Sequence, residues 1–213
     1  MCGRYTLSTV DGSDIAQRFS LVEPPAAETL GRFNVCPTEA IAVVHEPQRA
    51  DAVRWGLRPF RNSGFAPINV RAETAGTRFK FLMKGGRCLV LADGWYEWLK
   101  QERKGGPRLP FRYTVDGGAP FAFAGLYDGT GAAILTTAAN AVCAPVHDRM
   151  PVVLEGPEAE AAWLSGDVGV DEALEFLLPL EDRRVAVAPA NPAVNKAGVE
   201  GPELLTPPSE SLF

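Results

Sequence analysis

Four strand-like runs follow one another between residues 87 and 138, and they constrain the fold more than any other feature of the sequence. They are "RCLVLADGWYEWLK", "PFRYTV", "PFAFAGLY" and "AAILTTAA", separated by turn-rich segments such as "ERKGGPRLP", "DGGA" and "DGTG". Successive strands joined by short turns predict an antiparallel sheet. Because the helices are set apart from this run, we expect an α+β fold whose curled, mainly antiparallel β-sheet forms a barrel-like core flanked by helices.

Shorter elements lie on both sides of these runs. "AIAVVH", "AVRWGL" and "RRVAVAP" are typical of strands, whereas "EAEAAWL" and "VDEALEFLL" predict helices. "AETAGTRFKFLMKGG" predicts a helix closed by Gly85 and Gly86. Ser13 is placed to cap a short helix in which Ile15 and Phe19 share a face.

The length of 213 residues and the hydrophobic share of 46% fit a chain that buries a substantial core. No linker separates two unlike halves, so we predict a single domain over residues 2–205 and an irregular tail over residues 206–213. No basic start precedes an apolar run, and no segment approaches the roughly 20 apolar residues that cross a bilayer. A soluble, cytoplasmic protein is therefore expected.

Cysteine spacing and charge exclude several classes of function. The four cysteines lie far apart with no C-x-x-C pair, which argues against a zinc site and a disulfide framework. The motifs of nucleotide hydrolysis, dinucleotide binding, esterase catalysis and zinc proteolysis are missing, and no cofactor or metal is expected. Because the formal net charge is −5, a nucleic-acid role requires basic side chains gathered on one face.

Cys2 directly follows the initiator methionine, which gives it a chemistry that no internal cysteine has. Methionine aminopeptidases remove Met1 when the second side chain is small, leaving a residue with an α-amine of pKa about 7.7–8.0 and a thiol of pKa about 8.5. An aldehyde forms a Schiff base with the amine, and the sulfur closes on the same carbon to give a thiazolidine. The alternative is an ordinary frayed terminus, although Gly3 suits a tight space and Arg4 suits a phosphate or carboxylate.

The segment "PINVRAET" carries Asn69, Arg71 and Glu73 ahead of the predicted helix. Alternate positions of an extended segment project to the same side, so Asn69 and Arg71 can line one pocket with an amide and a guanidinium. A helix-capping turn with a surface arginine explains the same residues, and the segment alone favours that simpler interpretation.

The run "LADGWYEWLK" places Glu97 between Tyr96 and Trp98. An apolar flank raises the pKa of a carboxyl group and suits it to proton transfer. A solvent-facing glutamate on an alternating strand is equally consistent with the pattern. Trp95 and Trp98 fit either a core, which is the default, or a platform on which bases stack.

His147 lies in the polar cluster of "PVHDRMPVVL", in a short loop before an apolar strand, where site residues often occur. Histidine exchanges protons readily near neutral pH, although a lone histidine is more often structural. The other histidine, His45, has no comparable neighbours and is interpreted as structural.

Eight short motifs occur in an order that resembles the SRAP family, the SOS-response-associated abasic-site processing proteins. They are "MCGRYT", "RFNVCPTEA", "WGLRPF", "INVRAET", "LADGWYEW", "FAFAGLYD", "ILTTAAN" and "VHDRMPVVL". The likeness extends from Cys2 to Leu154 and resumes weakly at "PAVNKAGVEGPELLTP".

This resemblance implies that the mature N-terminal cysteine crosslinks, through a thiazolidine, to the ring-opened aldehyde of an abasic site in single-stranded DNA. Cys2 is then the crosslinking residue and Asn69 contacts the reacting centre. Glu97 assists ring opening and proton transfer, and His147 takes part in Schiff-base chemistry and in strand cleavage by an AP lyase activity. The side chains expected to bind DNA are Arg4, Trp55, Arg71, Arg78, Thr136 and Arg149.

Charge sets a condition on this function, since phosphate contacts normally dominate single-strand affinity. We predict that one surface gathers Arg4, Arg71, Arg78, Lys80, Lys84 and Arg149. The acidic residues of "EGPEAEAAWLSGDVGVDEALEF" are expected on the opposite side.

Two other functions stay open at this stage. The first is a cysteine-type autopeptidase that exposes Cys2 with the help of Glu97 and His147. The second is a non-covalent single-strand DNA-binding module that stacks bases on its tryptophans. The expected partner is single-stranded DNA containing abasic sites, with replication-fork proteins as further candidates, no membrane and a monomeric state.

Overall fold

The computed structural model describes residues 2–59, 64, 66–99 and 108–206, and the fold is given for these. The strands there, in chain order, are β1 (Arg4–Leu7), β2 (Arg32–Val35), β3 (Ala40–Glu46), β4 (Arg49–Trp55), β5 (Asn69–Arg71), β6 (Arg87–Ala92), β7 (Gly94–Trp98), β8 (Pro110–Val115), β9 (Phe121–Tyr127), β10 (Gly131–Ala138), β11 (Arg149–Pro151) and β12 (Val185–Pro189). The helices are α1 (Gly12–Arg18), α2 (Ala72–Arg78), α3 (Lys80–Gly85), α4 (Pro157–Leu164) and α5 (Val170–Leu174).

Two sheets enclose the core. The first has the order β12-β8-β7-β1-β2, and its neighbouring strands are antiparallel. The second has the order β11-β10-β4-β3-β6-β9, and β9 also pairs with β10, which closes five strands into a ring. Within it, β4 and β5 run parallel to β10. The predicted α+β fold with a curled, mainly antiparallel, barrel-like sheet is confirmed.

The first strand-like run of the sequence, "RCLVLADGWYEWLK", is two strands that belong to different sheets. Between β6 and β7 lies the buried Asp93, whose carboxylate accepts hydrogen bonds from Thr6 Oγ1 (2.5 Å) and from the backbone N–H groups of Ser8 (2.6 Å) and Thr9 (3.1 Å). These bonds hold the crossover against β1. "DGGA" likewise carries the chain from the first sheet to the second, whereas "DGTG" forms the expected hairpin between β9 and β10.

The helices differ from the sequence prediction in their bounds. The single helix expected over residues 72–86 is α2 followed by α3, because the backbone of Phe79 is not helical (φ −120°, ψ 23°). It closes at the glycines as expected, since a side chain on Gly86 would collide with the carbonyl oxygen of Tyr127. Asp11, not Ser13, caps α1, accepting a 2.9 Å hydrogen bond from the Ser13 backbone N–H.

The acidic segment is not segregated as predicted. Helix α5 packs against α2 so closely that a Cβ on Gly76 would lie 2.8 Å from Leu174 Cδ1. Asp171 and Glu172, in the first turn of α5, therefore lie on a helix that touches the one carrying Arg78. The expectation that all these acidic residues lie opposite the basic ones is wrong for α5.

Aromatic side chains fill the space between the sheets. Tyr5 of β1 meets Trp55 of β4 edge to face with ring centroids 5.2 Å apart, and it meets Phe123 of β9 at 6.0 Å. Trp95 stacks on Tyr113 at 5.1 Å. All five are buried. Because Tyr5 follows Cys2 by three residues, this packing fixes the start of β1.

The segment after β12 covers the outer edge of the first sheet. Asn34 Nδ2 donates to the Lys196 carbonyl oxygen (3.1 Å), and the Asn34 backbone N–H donates to the Glu200 carboxylate (3.1 Å). The predicted tail, residues 206–213, lies outside the described residues beyond its first residue, so its boundary stays a prediction. Within the described ranges, no helix combines the length and the apolar character needed to span a membrane.

Candidate active site

Cys2 lies just ahead of β1 and has no exposed surface. Its Sγ–H donates a hydrogen bond to the carbonyl oxygen of Arg4 at 3.6 Å. Burial raises the pKa of the Cys2 thiol well above its usual range, and the Glu97 carboxylate adds to the rise. The thiol is therefore protonated at neutral pH, and a nearby base must take its proton before the sulfur can attack.

Asn69 connects the second sheet to Cys2, which lies just before β1 of the first sheet. Its Nδ2 donates a 2.7 Å hydrogen bond to the carbonyl oxygen of Cys2. β5 carries Asn69 as an extended strand beside β10, where Asn69 pairs with Ile134. The interpretation of this segment as a mere helix cap is insufficient, because the Asn69 side chain bonds to Cys2 and not to its own helix.

Glu97 lies on β7 with only 3% of its surface exposed. Arg4 faces Tyr96 in the antiparallel pairing of β1 with β7, so Glu97 follows beside the chain that leads to Cys2. Burial raises the pKa of Glu97 to about 7, and the Asp148 carboxylate adds to the rise. Near neutral pH the carboxyl group is present in both protonation states, so it can donate or accept a proton.

His147 occupies the loop between β10 and β11. Its Nδ1 lies 3.0 Å from the backbone nitrogen of Arg149 and 3.2 Å from Asp148 Oδ1. A neutral ring accepts the Arg149 N–H at Nδ1, whereas a protonated ring donates from Nδ1 to Asp148. Asp148, which contacts His147, also raises the pKa of Glu97. His147 and Glu97 are therefore linked electrostatically through Asp148.

Arg149 and Thr136 are brought together by the pairing of β10 with β11. The Arg149 guanidinium donates to the Thr136 carbonyl oxygen at 2.5 Å and forms a two-bonded ion pair with Glu73. The bond from Arg149 holds the pKa of Glu73 below its usual range. A phosphate that binds Arg149 must therefore compete with Glu73, and no local sequence pattern predicts this pairing.

A groove of about 960 Å³, here called the arginine groove, extends from Asn69 along Arg71 to Arg78 and also includes Arg54. The three arginines are exposed, and none forms an ion pair with another residue of the described ranges. Unpaired positive charge next to Asn69 suits a polyanion. Arg54 was missed by the sequence analysis, although its outward position just before the buried Trp55 follows the alternation of a strand.

Arg4 makes a different set of contacts from those expected. Its Nη1 donates to Asn34 Oδ1 at 2.9 Å and to the Val194 carbonyl oxygen at 2.8 Å. These bonds tie β1 to β2 and to the C-terminal segment. The guanidinium therefore stabilises the fold around β1, and its phosphate contact stays a prediction.

Trp55 does not line a DNA channel. Its indole is fully buried against Tyr5, and Nε1 donates to the Ile68 carbonyl oxygen at 2.9 Å. Trp95 is also fully buried, while the partly buried Trp98 bonds to Asn195 Oδ1 at 2.6 Å. The expectation of a channel position for Trp55 is corrected, because neither Trp55 nor Trp95 presents a ring face on which a base can stack.

Tyr113 is a site candidate that the sequence analysis missed. Its hydroxyl group and Asn69 Oδ1 are both buried without a hydrogen-bond partner among the described residues. Burial raises the pKa of Tyr113, with smaller contributions from Cys143 and Glu97, which places its ring near the acidic side of the site. Because buried polar atoms normally have partners, these two are candidate positions for a polar group of a substrate or for a water.

Side chains that commonly bind metal ions are scattered over the described residues. Among the described residues, no three His, Cys, Asp or Glu side chains are grouped closely enough to hold a metal ion. The four cysteines are all buried and form no disulfide.

Known proteins are similar to this chain in fold or in sequence. A protein from Bacteroides thetaiotaomicron has a crystal structure that matches with a TM-score of 0.85 at 20% identity, covering 98% of this chain and 100% of that chain. The abasic site processing protein YoqW of Bacillus subtilis (strain 168) is 31% identical over 225 residues, which cover 96% of this chain and 99% of the relative. The abasic site processing protein YedK of Escherichia coli (strain K12) is 32% identical over 224 residues, covering 97% and 100%.

The family comparison agrees with the order of the eight motifs. The model of the SOS response associated peptidase (SRAP) family matches residues 1–197, which include β1, the arginine groove, Glu97 and His147. With the match spanning nearly the whole described fold, the chain belongs to the SRAP family.

Proposed function

We propose that this protein captures abasic sites in single-stranded DNA by forming a thiazolidine between the mature N-terminal Cys2 and the ring-opened aldehyde of the lesion. Its relatives YoqW and YedK are abasic site processing proteins. The observation that carries the proposal is the placement of Cys2, which is buried, bonded to Asn69 and next to a carboxyl group with a pKa of about 7.

The proposed covalent chemistry needs only groups that this site supplies. Removal of Met1 gives Cys2 a free α-amine, which adds to the aldehyde carbon and loses one water to form an imine. The sulfur then bonds to the imine carbon, and the thiol proton passes by way of Glu97 to the imine nitrogen. One water is released in total, and nothing is oxidised or reduced.

Glu97 has a second task in this scheme. An abasic deoxyribose is mostly a closed hemiacetal, and opening it requires a proton on the ring oxygen and the loss of one from the hydroxyl group. A carboxyl group that is partly protonated near neutrality serves both transfers. Its burial keeps competing water away from the reacting carbon.

His147 is placed to govern the competing reaction. Proton removal from the carbon next to the imine breaks the strand by β-elimination, which is the AP lyase activity. A ring whose Nδ1 contacts change with protonation suits a proton acceptor at this step. Ring closure by the sulfur withdraws the imine from this reaction, so the thiol decides between a durable crosslink and a cut strand.

The arginine groove provides the non-covalent part of the recognition. Arg54, Arg71 and Arg78, which form no ion pair with any other described residue, offer positive charge beside Asn69, although the chain's net charge is −5. Electrostatic attraction to phosphates is then local to this groove. An irreversible capture step relaxes the need for tight initial binding.

The test is to incubate fully Met1-processed protein with a single-stranded oligonucleotide that carries one abasic site. We expect a heat-stable, slower-migrating band that is missing with an intact oligonucleotide and with Cys2→Ala. The matched variant Cys2→Ser retains the amine, so it should cleave the strand without leaving the durable band. No band from processed wild-type protein would overturn the proposal.

An autopeptidase is the second candidate, favoured by the family's description as a peptidase and by the thiol beside Glu97. It predicts that Met1 is lost from purified protein in the absence of any aminopeptidase. Mass spectrometry of protein made in a cell-free system without that enzyme decides the point: retention of Met1 assigns its removal to the aminopeptidase.

A further inference from the structure

The arginine groove does not end at Arg78. Arg78 and Phe79 also line a second depression of about 330 Å³, together with Arg58 and Phe81. Phe81 in turn belongs to a third depression of about 460 Å³. The three depressions share side chains at each junction, so they form one track that starts at Asn69 and leads away from the site.

Phe81 has a solvent-exposed aromatic side chain. It is 87% exposed on α3, whereas Met83, two residues later, is fully buried. The other large apolar side chains exposed in the described ranges are aliphatic. An exposed aromatic ring at the end of a basic groove is the arrangement that stacks a base of single-stranded nucleic acid.

The charge around Phe81 favours the same occupant. Arg58 and Arg78 line the depression on one side, and Lys80 and Lys84 are exposed on the helix that carries Phe81. Two acidic side chains, Asp128 and Glu46, line the depressions that Phe81 belongs to. Asp128 accepts hydrogen bonds from the backbone N–H groups of Arg58, Thr130 and Gly131, and Glu46 lies 3.8 Å from the Arg49 guanidinium. Both carboxylates thus have partners, while the four cations are exposed.

The third depression adds a fixed aromatic pair. His45 and Tyr127 line it, stacked with ring centroids 4.4 Å apart, and His45 is held by Asp51 at 2.9 Å. The sequence analysis interpreted His45 as structural, and its bond to Asp51 supports that role. The pair gives the far end of the track a rigid wall beyond Phe81.

We propose that the DNA strand flanking the lesion leaves the arginine groove over Arg78 and stacks one of its bases on Phe81. This inference rests on the proposed function, because the lesion must lie at Cys2 for the strand to follow this track. The arginine groove and the depression lined by Phe81 share Arg78 and Phe79, so the strand passes from one to the other there.

The test measures binding by fluorescence anisotropy with oligonucleotides that carry a tetrahydrofuran abasic analogue, which has no aldehyde. One set has a single nucleotide on each side of the analogue, and two further sets extend either the 5′ or the 3′ side by several nucleotides. For one of the extended sets, Phe81→Ala should weaken binding by about fivefold or more, the loss of one stacked base. The same variant should leave binding of the shortest set unchanged.

Two further variants separate stacking from other effects. Phe81→Trp keeps an aromatic face and should retain the wild-type affinity for the extended strand. Leu178→Ala removes another exposed apolar side chain, 65% exposed, that lines none of the three depressions, and should leave every affinity unchanged. Equal affinity of Phe81→Ala and wild type for every oligonucleotide, or an equal loss on short and extended strands, would overturn the track.

Failure of the track and failure of the proposed function give different results. The analogue forms no covalent bond, so anisotropy judges the track alone. An aldehyde-bearing oligonucleotide judges covalent capture, so a crosslink from wild type together with equal anisotropy affinities of Phe81→Ala and wild type for every analogue removes the track while leaving the capture intact. Conversely, a Phe81-dependent affinity without any crosslink retains the track and removes the thiazolidine.

Discussion

The side-chain amide of Asn69 donates a 2.7 Å hydrogen bond to the carbonyl oxygen of Cys2, and this bond joins the two sheets at the reactive residue. Cys2 is held from one side by the packing of Tyr5 and from the other by this amide. A residue next to a chain end normally frays. The hydrogen bond from Asn69 therefore keeps the Cys2 thiol, and the α-amine that Cys2 carries once Met1 is removed, in one position relative to Glu97.

Replacing Asn69 by alanine should slow crosslinking more than it lowers stability. Loss of the amide frees the carbonyl of Cys2, and misplacement of a reacting group by about 1 Å costs about 100-fold in rate. We expect a slowing of about 10- to 100-fold in single-turnover crosslinking. The matched control is Asn195→Ala, which removes an amide that bonds to Trp98 and to the Arg108 carbonyl oxygen and makes no hydrogen bond to Cys2. Equal rates for Asn69→Ala and Asn195→Ala would show that the bond to Cys2 does not position it.

The rate of crosslinking should depend on pH through Glu97. Burial sets the pKa of this carboxyl group to about 7, so the balance between its two protonation states changes over the neutral range. We expect an inflection near that pH in the rate of capture, measured with saturating protein. Glu97→Gln should remove the inflection and slow capture by about 100-fold or more. An unchanged inflection in Glu97→Gln would assign it to another group, with the α-amine of Cys2, whose ordinary pKa is about 7.7–8.0, as the next candidate.

Stability should respond to the same carboxyl group. In the unfolded chain the pKa of glutamate is about 4.3, whereas in the fold the pKa of Glu97 is about 7. The folded state binds the proton more tightly, so the stabilising contribution is fully present below the unfolded value and is lost as pH rises through the folded value. The two pKa values correspond to a total loss of about 4 kcal/mol.

Urea unfolding of wild type and Glu97→Gln at several pH values measures this loss. Glutamine does not titrate, so the variant should gain stability relative to wild type by about 3 kcal/mol between about pH 4.5 and about pH 8. A constant difference between the two proteins over that range would mean that Glu97 has an ordinary pKa in the fold.

The sequence predicts the parts of this protein that depend on local pattern. Strand runs and turns give the α+β class and the β9–β10 hairpin, and the motif order brings Cys2, Asn69 and Glu97 to attention before any geometry is known. The contact of Asn69 with Cys2 follows from none of these patterns. It requires β5 to lie beside β10 in the second sheet while β1 starts the first.

Other features escape the sequence because they are set by packing. Phe79 interrupts a helix that the helix propensities of its neighbours would continue. At Asp93 a continuous apolar run crosses from the second sheet to the first, because the Asp93 carboxylate accepts hydrogen bonds from residues of and after β1. Trp55 has an aromatic ring on which a base could stack, but the pairing of β4 with β10 places this ring in the core. Only the three-dimensional arrangement distinguishes these outcomes.

Breaking the ion pair between Glu73 and Arg149 should strengthen DNA binding. Arg149 is only 11% exposed and the pair neutralises its charge, so we expect the wild-type protein to use it less than Arg71 or Arg78 for phosphates. Glu73→Gln frees the guanidinium, and one further phosphate contact should steepen the dependence of log affinity on log salt by about 0.7. Arg71→Gln should make that dependence shallower by a similar amount.

Titration of an aldehyde-free abasic oligonucleotide at several salt concentrations gives these slopes. Glu181→Gln is the matched control, because Glu181 also pairs with an arginine, Arg183, on a surface away from the arginine groove. It removes the same charge, so any effect of net charge alone appears in both variants. If Glu73→Gln and Glu181→Gln raise affinity equally and leave the slope unchanged, Arg149 makes no phosphate contact. A steeper slope in Glu73→Gln alone assigns Arg149 to the DNA and shows that Glu73 limits its use.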